Sequence, residues 1–278
     1  MISNKIKKYS LFSMIFCFLM SFGYRVNAEI DKAGELNKTG IEKLNKGQYQ
    51  EAINDFNEAV KINPNDAKAY NNLGIIRVQL KEYVEAVTNY NEALKINPDY
   101  IEAYNGRGSA KLNLKQYKQA KNDFKKATKI IPNDSDSYVY RGIAKYNLGN
   151  FTIFSCIGRK KKAINDFNEA LKMNSNNEKA YEYRGYVKLI DRGFFGLNRG
   201  KYLDAIEDFN EAIKLKPDYA EGYNNNGVAK CYLAQPDEAI KDFEKALKIN
   251  INFTLAYKNK KLAKEASKRK EIKPIAYQ

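Results

Sequence analysis

Histidine and tryptophan are absent from the 278 residues, and cysteine occurs only three times. Without histidine, imidazole general acid–base catalysis and histidine ligation of a metal are excluded. Cys17 lies in an apolar run and lacks the small residues that a lipid-bearing cysteine needs before it. Cys156 and Cys231 stand about two repeat periods apart, so two free, half-buried thiols are expected rather than a disulfide. Long apolar runs are missing after residue 22. The one long, mostly apolar run is Leu11 to Phe22, broken by Ser13 and Ser21; Lys5, Lys7 and Lys8 precede it and Val26-Asn27-Ala28 follow it. That segment is too short to span a bilayer comfortably and describes a secretory signal peptide over 1–28, with an uncleaved membrane anchor as the alternative. The expected location is therefore periplasmic or extracellular.

The formal charge of +15 is unevenly spread. Removing 1–28 leaves +11, of which +6 falls from Thr254 onward, so the body carries only +5. Nucleic acid is thus an unsuitable partner, whereas the basic tail suits anionic lipid or an acidic protein. With 44% hydrophobic and 29% charged residues the chain has the composition of a globular protein.

What the sequence has is repetition. Ala52-Ile-Asn-Asp-Phe-Asn-Glu-Ala-Val60 returns as Ala163-Ile-Asn-Asp-Phe-Asn-Glu-Ala-Leu171, with looser copies from Ala86, Ala120, Ala205 and Ala239. Successive starts are 34, 34, 43, 42 and 34 residues apart, a single unit used six times and lengthened twice. Tyr70, Leu73, Gly74 and Arg77 share one stripe at helical spacing, and so do Ala86, Tyr90 and Ala93. Each unit therefore reads as two short helices, the second stopped near Pro98, Pro132 or Pro217.

The frame of aromatic, small residue, turn, Ala, aromatic, Ala and Pro, seen from Tyr70 to Pro98 and again from Tyr104, Tyr138, Tyr181 and Tyr223, resembles the tetratricopeptide repeat over roughly 33–253. The resemblance implies an all-α, right-handed α-solenoid of six helix-turn-helix repeats that binds extended peptides in a concave groove. The units run 33–66, 67–100, 101–134, 135–177, 178–219 and 220–253. A basic capping helix and tail over 254–278 covers the last apolar face. The groove slots would hold Asn71, Asn72, Ile75 and Asn105 early, and Tyr140, Tyr146, Tyr183 and Tyr186 in the middle. Asn224, Asn225 and Tyr232 would follow late. Asn offers donor and acceptor to a peptide backbone, and Tyr offers area with a polar tip. Off the groove, the first-helix cations Arg77, Lys111, Lys145, Lys188 and Lys230 and the second-helix acids Asp123, Asp166, Asp208 and Asp242 recur in register, which predicts cross-helix pairs weakened by solvent. The family's clamp for a terminal carboxylate is not reproduced: Asn72 fits one slot, but Asn37, Ile41, Glu102 and Gly106 occupy its neighbours.

The two lengthened units carry excess residues in the turn between their helices, 151–162 and 191–199, with Phe151, Phe154, Phe194 and Phe195 as possible docking aromatics. Gly193, Gly196 and Gly200-Lys201 do not make a phosphate loop, because no Ser or Thr follows Lys201 and no strand precedes it. No catalytic constellation, cofactor or metal site is expected. The sequence thus predicts an exported, non-enzymatic scaffold for a protein or peptide partner. The alternatives are a membrane-surface assembly factor acting through its insertions and tail, and a cell-wall glycan binder built on Tyr183, Tyr186 and Tyr232.

Overall fold

The computed structural model describes residues 29, 31–148, 153–191 and 199–269, with side chains in the last two stretches over 158–191 and 199–268. Among these residues there are only helices, and they follow one another without a strand. They divide into two compact units, with the boundary between Leu114 and Lys115.

The first unit holds α1 (31–45), α2 (Tyr49–Ile62), α3 (Ala67–Gln79), α4 (Tyr83–Ile96) and α5 (Ile101–Asn113). The second holds α6 (Tyr117–Ile130), α7 (Ser135–Asn147), α8 (Ile153–Met173), α9 (Glu178–Leu189), α10 (Arg199–Leu215), α11 (Ala220–Tyr232), α12 (Pro236–Ile249) and α13 (Thr254–Arg269). Each even-numbered helix buries two alanines seven residues apart and one aromatic between them, such as Ala52, Phe56 and Ala59 in α2 or Ala86, Tyr90 and Ala93 in α4. The alanines let neighbouring helices approach closely, and the ring fills the space left between them. Gly74 of α3 and Gly106 of α5 complete this arrangement, since a Cβ at either would stand 2.6 or 2.4 Å from the Tyr90 ring.

The connections are as regular as the helices. After α1, α3 and α11 the chain passes through a left-handed residue, Gly47, Lys81 or Ala234. The next N–H donates back five residues: Gln48 to the Lys43 carbonyl, Glu82 to Arg77 and Gln235 to Lys230, at 2.8–3.0 Å. From the second helix of one repeat to the first helix of the next, an asparagine side chain caps the turn. The carboxamide oxygens of Asn63, Asn97, Asn174 and Asn250 each accept from the N–H two residues on, at 3.0–3.2 Å. Part of the chain's abundant asparagine is therefore turn chemistry rather than binding surface.

One segment departs from the expectation. Residues 153–162 are helical and extend α8 to 21 residues, so most of the first insertion lengthens a helix instead of forming a loop. No proline interrupts it, and its cations fasten onto carbonyls at the C-termini of the first helices on either side, α7 and α9. Arg159 donates to the Leu148 carbonyl, and Lys160 donates to the Ile190 carbonyl at 3.2 Å and to Asp191 at 3.4 Å. Lys201 of α10 closes on the same carboxylate. Burial works against ionisation of Asp191, but Lys201 and Lys160 together hold its carboxyl below the usual range. Phe151, Phe194 and Phe195 lie outside the described residues, as do the side chains of Phe154 and Cys156.

Candidate functional site

The recurrent charges have to be separated from the site first, because they are scaffold. Asp166 of α8 is buried and holds two cations of α7, Arg141 at 2.7 Å and Lys145 at 2.6 Å. Asp208 of α10 repeats this with Arg184 at 2.6 Å and Lys188 at 2.8 Å of α9. Lys230 meets Asp242 at 2.6 Å, and in the first unit Lys43 meets Asp55 at 2.5 Å. The sequence pattern located the pairs of Lys145, Lys188 and Lys230 but placed them in solvent, and it did not name Lys43, Asp55, Arg141 or Arg184. The acids are in fact 3–5% exposed in the second unit, so they are buried carboxylates rather than surface pairs, and Asp166 and Asp208 each hold two cations. Arg77 bonds Glu82 instead, because Asn89 stands where the other copies carry the acid.

A second repeated link joins asparagine to the next first helix. Asn91 accepts from Arg107 at 2.7 Å, Asn168 from Arg184 at 2.7 Å and Asn210 from Asn226 at 3.0 Å. Here too asparagine is architecture.

In the first unit, the early groove slots differ in what they present. Asn71 is buried at 4% exposure, while Asn72 and Asn105 are half-buried. Ile75 packs beside Tyr70 and Val78 against the cluster around Tyr90.

The second unit brings four of the predicted tyrosines onto adjoining first helices. Tyr140 of α7 stacks on Phe124 of α6, with ring centres 5.5 Å apart and planes inclined by 20°. Tyr183 of α9 stacks in the same way on Phe167 of α8, at 6.3 Å and 22°. Tyr146 and Tyr186 meet edge to face at 5.9 Å. All four rings are half-buried, so each is partly packed and partly open to solvent. Two residues that the sequence reading passed over complete the patch. Lys179 donates to the Tyr140 hydroxyl at 3.1 Å and sits 5.4 Å from its ring centre. Glu182 has its carboxyl pushed up by burial, with the Tyr219 hydroxyl opposing this and the Glu221 charge adding to it. Burial, and then the Glu182 charge, raise the Tyr183 phenol. The signal for both was available: Lys179 and Glu182 stand four residues ahead of Tyr183 and Tyr186 on the same helical face.

The late slots are occupied differently. Asn224 is 1% exposed; it accepts from Asn259 of α13 at 3.0 Å and donates to Asn225 at 3.3 Å. Tyr232 lies flat on the buried Tyr202, with ring centres 4.9 Å apart. Both join the packing between α11 and its neighbours. Cys231 is a free, buried thiol, and no cluster of acids or cysteines suited to a metal stands among the described residues.

Comparison with known proteins agrees with this geometry. No curated protein matches the sequence significantly. A TPR repeat profile matches residues 42–81, 74–115 and 197–230, and a tetratricopeptide repeat profile matches 101–134 and 220–252. Among solved structures, YrrB, described as a TPR protein with an unusual peptide-binding site, is 25% identical with a TM-score of 0.51, over 74% of this chain and 97% of YrrB. TTC0263, a thermophilic TPR protein of Thermus thermophilus, is 20% identical with a TM-score of 0.60, over 72% of this chain and 99% of its own. PilF of Pseudomonas aeruginosa is 15% identical with a TM-score of 0.66, over 83% and 97%. Paired helices built on buried alanines, ring-into-glycine contacts and profile matches over 42–134 and 197–252 agree, and the chain belongs to the tetratricopeptide repeat family of protein-interaction scaffolds.

Proposed function

We propose that this protein is an exported, non-catalytic scaffold that binds an extended peptide or segment of a partner protein across the first-helix faces of α7 and α9. The observation that carries the reading is the half-exposed patch of Tyr140, Tyr183, Tyr146 and Tyr186, bordered by Lys179 and Glu182. Aromatic rings held flat by a packed neighbour present area at little entropic cost, and such rings dominate binding energies at interfaces. Lys179 and Glu182 place one charge of each sign beside them, which suits the alternating polar groups of a peptide backbone. The peptide-binding site named for YrrB supports the same use of the fold. Export rests on the basic, apolar and small-residue order of residues 1–28. No helix among the described residues is long and apolar enough to cross a membrane.

The test is selection of extended peptides from a displayed library on the full chain, followed by titration of the best binder. Lys179→Glu leaves the ring stacking in place and should weaken that peptide about tenfold, or about 1.4 kcal/mol. Tyr183→Ala should weaken it by about 2 kcal/mol or more. A selected peptide that binds both variants as well as the parent chain would refute the site.

A further inference from the structure

The second unit contains a cleft of about 640 Å³ away from the tyrosine patch, lined by Lys118, Lys121, Asn122 and Lys125 of α6, Arg141, Lys145 and Leu148 around α7, and Arg159 and Lys162 of α8. Seven of its nine lining residues are cations. Asp166 accounts for Arg141 and Lys145, and the Leu148 carbonyl takes Arg159. Lys118, Lys121, Lys125 and Lys162 face no paired carboxylate among the described residues. Burial lowers the Lys145 ammonium; Asp166 opposes this, and the neighbouring Arg141 and Lys121 charges add to it.

The repeat itself shows that folding does not require this charge. At the place of Lys121 the other five copies carry Ile53, Val87, Ile164, Ile206 and Ile240. At the place of Lys125 four carry the asparagines 57, 91, 168 and 210, and the last carries Glu244. Asn91 and Asn168 each hold the arginine of the next first helix. In the third copy Lys125 replaces that acceptor by a like charge, and Arg141 turns to the Thr128 hydroxyl at 2.8 Å. Two positions that elsewhere serve packing and hydrogen bonding have thus become cations beside one cleft.

We propose that this cleft is a binding site for a compact oligophosphate, a ligand bearing several linked phosphate groups and no base. Lys118, Lys121 and Lys125 follow one face of α6 over about 10 Å, a span that matches a row of anionic groups better than one. Lysine suits phosphate as a point charge, whereas carboxylates favour the arginine fork and lysine is depleted at protein–protein interfaces. No aromatic ring lines the cleft, so a nucleobase has nothing to stack on.

The test is calorimetric titration of the full chain with tripolyphosphate at about 0.15 M salt, with orthophosphate, ATP and a hexaglutamate peptide as comparisons. Tripolyphosphate should bind most tightly, and ATP no better than tripolyphosphate. Lys121→Ile with Lys125→Asn, the residues of the other copies, should weaken tripolyphosphate at least tenfold while melting no lower than the parent chain. Lys258→Gln with Lys261→Gln, an equal loss of charge on α13, should leave binding unchanged. Tripolyphosphate should also raise the melting temperature of the parent and of the α13 variant, but not of the cleft variant. The proposal is overturned if hexaglutamate or ATP binds more tightly, if the cleft variant binds like the parent, if both variants weaken equally, or if tripolyphosphate does not bind.

Discussion

Replacing Gly74 by alanine sets two effects of similar size against each other. In an exposed helix interior the change stabilises by about 1 kcal/mol, because alanine loses less backbone entropy. At Gly74 the new methyl would stand 2.6 Å from Cε1 of Tyr90, well inside van der Waals contact. The Tyr90 ring is 2% exposed and cannot swing away, because Gly106 presses on it from α5, where a Cβ would come within 2.4 Å. Overpacking of a rigid core costs about 1–3 kcal/mol, so the clash should win and Gly74→Ala should destabilise by about 1 kcal/mol net. Urea unfolding followed by helical circular dichroism measures this. In a Tyr90→Ala background, itself destabilised by about 3–5 kcal/mol, the ring is gone and the same glycine change should become stabilising. The coupling between the two sites should therefore reach about 2 kcal/mol. A Gly74→Ala variant that is more stable than the parent chain would refute the ring-between-glycines account of the first unit.

Three further outcomes follow from the second unit. Asp208→Asn removes the carboxylate shared by Arg184 and Lys188 and should cost about 2–3 kcal/mol, seen as a lower melting temperature, whereas Glu238→Gln on the surface of α12 should leave the melting temperature where it is. Burial raises the Asp242 carboxyl, with Lys230 and then Lys245 opposing and Glu238 adding to it. The folded chain therefore holds that proton more tightly than the unfolded chain, and Asp242 makes stability fall as pH rises from the unfolded value through the raised folded one. Unfolding free energies of parent and Asp242→Asn compared across mildly acidic pH should differ with that sign, and the opposite slope would overturn it. Burial also pushes the Cys231 thiol up to about 12, so in a Cys17→Ser, Cys156→Ser background iodoacetamide should label it rapidly in urea and hardly at all in the native chain.

The fold was legible because its determinants are local and repeated. Alanine, aromatic and alanine at helical spacing define one helix of each repeat, and six copies in phase leave no other period to choose. The charge slot was legible as a recurrence of Lys145, Lys188 and Lys230 against Asp166, Asp208 and Asp242, but its energetic character was not. Whether Asp166 is buried depends on α6, α7 and α8 together, and a wheel drawn for one helix pair cannot show that. The same limit explains the tyrosines. Tyr183 lies off the stripe that faces its own repeat, yet its ring stacks on Phe167 of the repeat before, so Tyr183→Ala should disturb packing as well as binding. The insertion at 153–162 was placed in the turn because it exceeds the repeat period, although nothing in it stops a helix once α8 continues beyond it.

The two binding surfaces proposed for this chain both rest on departures from the repeat. Positions that keep their residue from copy to copy are accounted for by structure: the alanine pairs by close approach, Asn63, Asn97, Asn174 and Asn250 by turns, and Asn91, Asn168 and Asn210 by links to the next helix. The slot of Asn71 becomes Val139, Glu182 and Asn224 in later repeats, and only Glu182 brings an acid beside the half-buried rings. The slot of Asn91 becomes Lys125 once, and there a hydrogen-bonded pair gives way to two facing cations. Two surfaces of the second unit therefore differ from the scaffold in opposite senses, one aromatic with mixed charge and one densely cationic. If they act separately, Lys179→Glu should weaken the selected peptide without changing tripolyphosphate binding, and Lys121→Ile with Lys125→Asn should do the reverse. A variant that weakens both ligands together would show that the two surfaces are a single site.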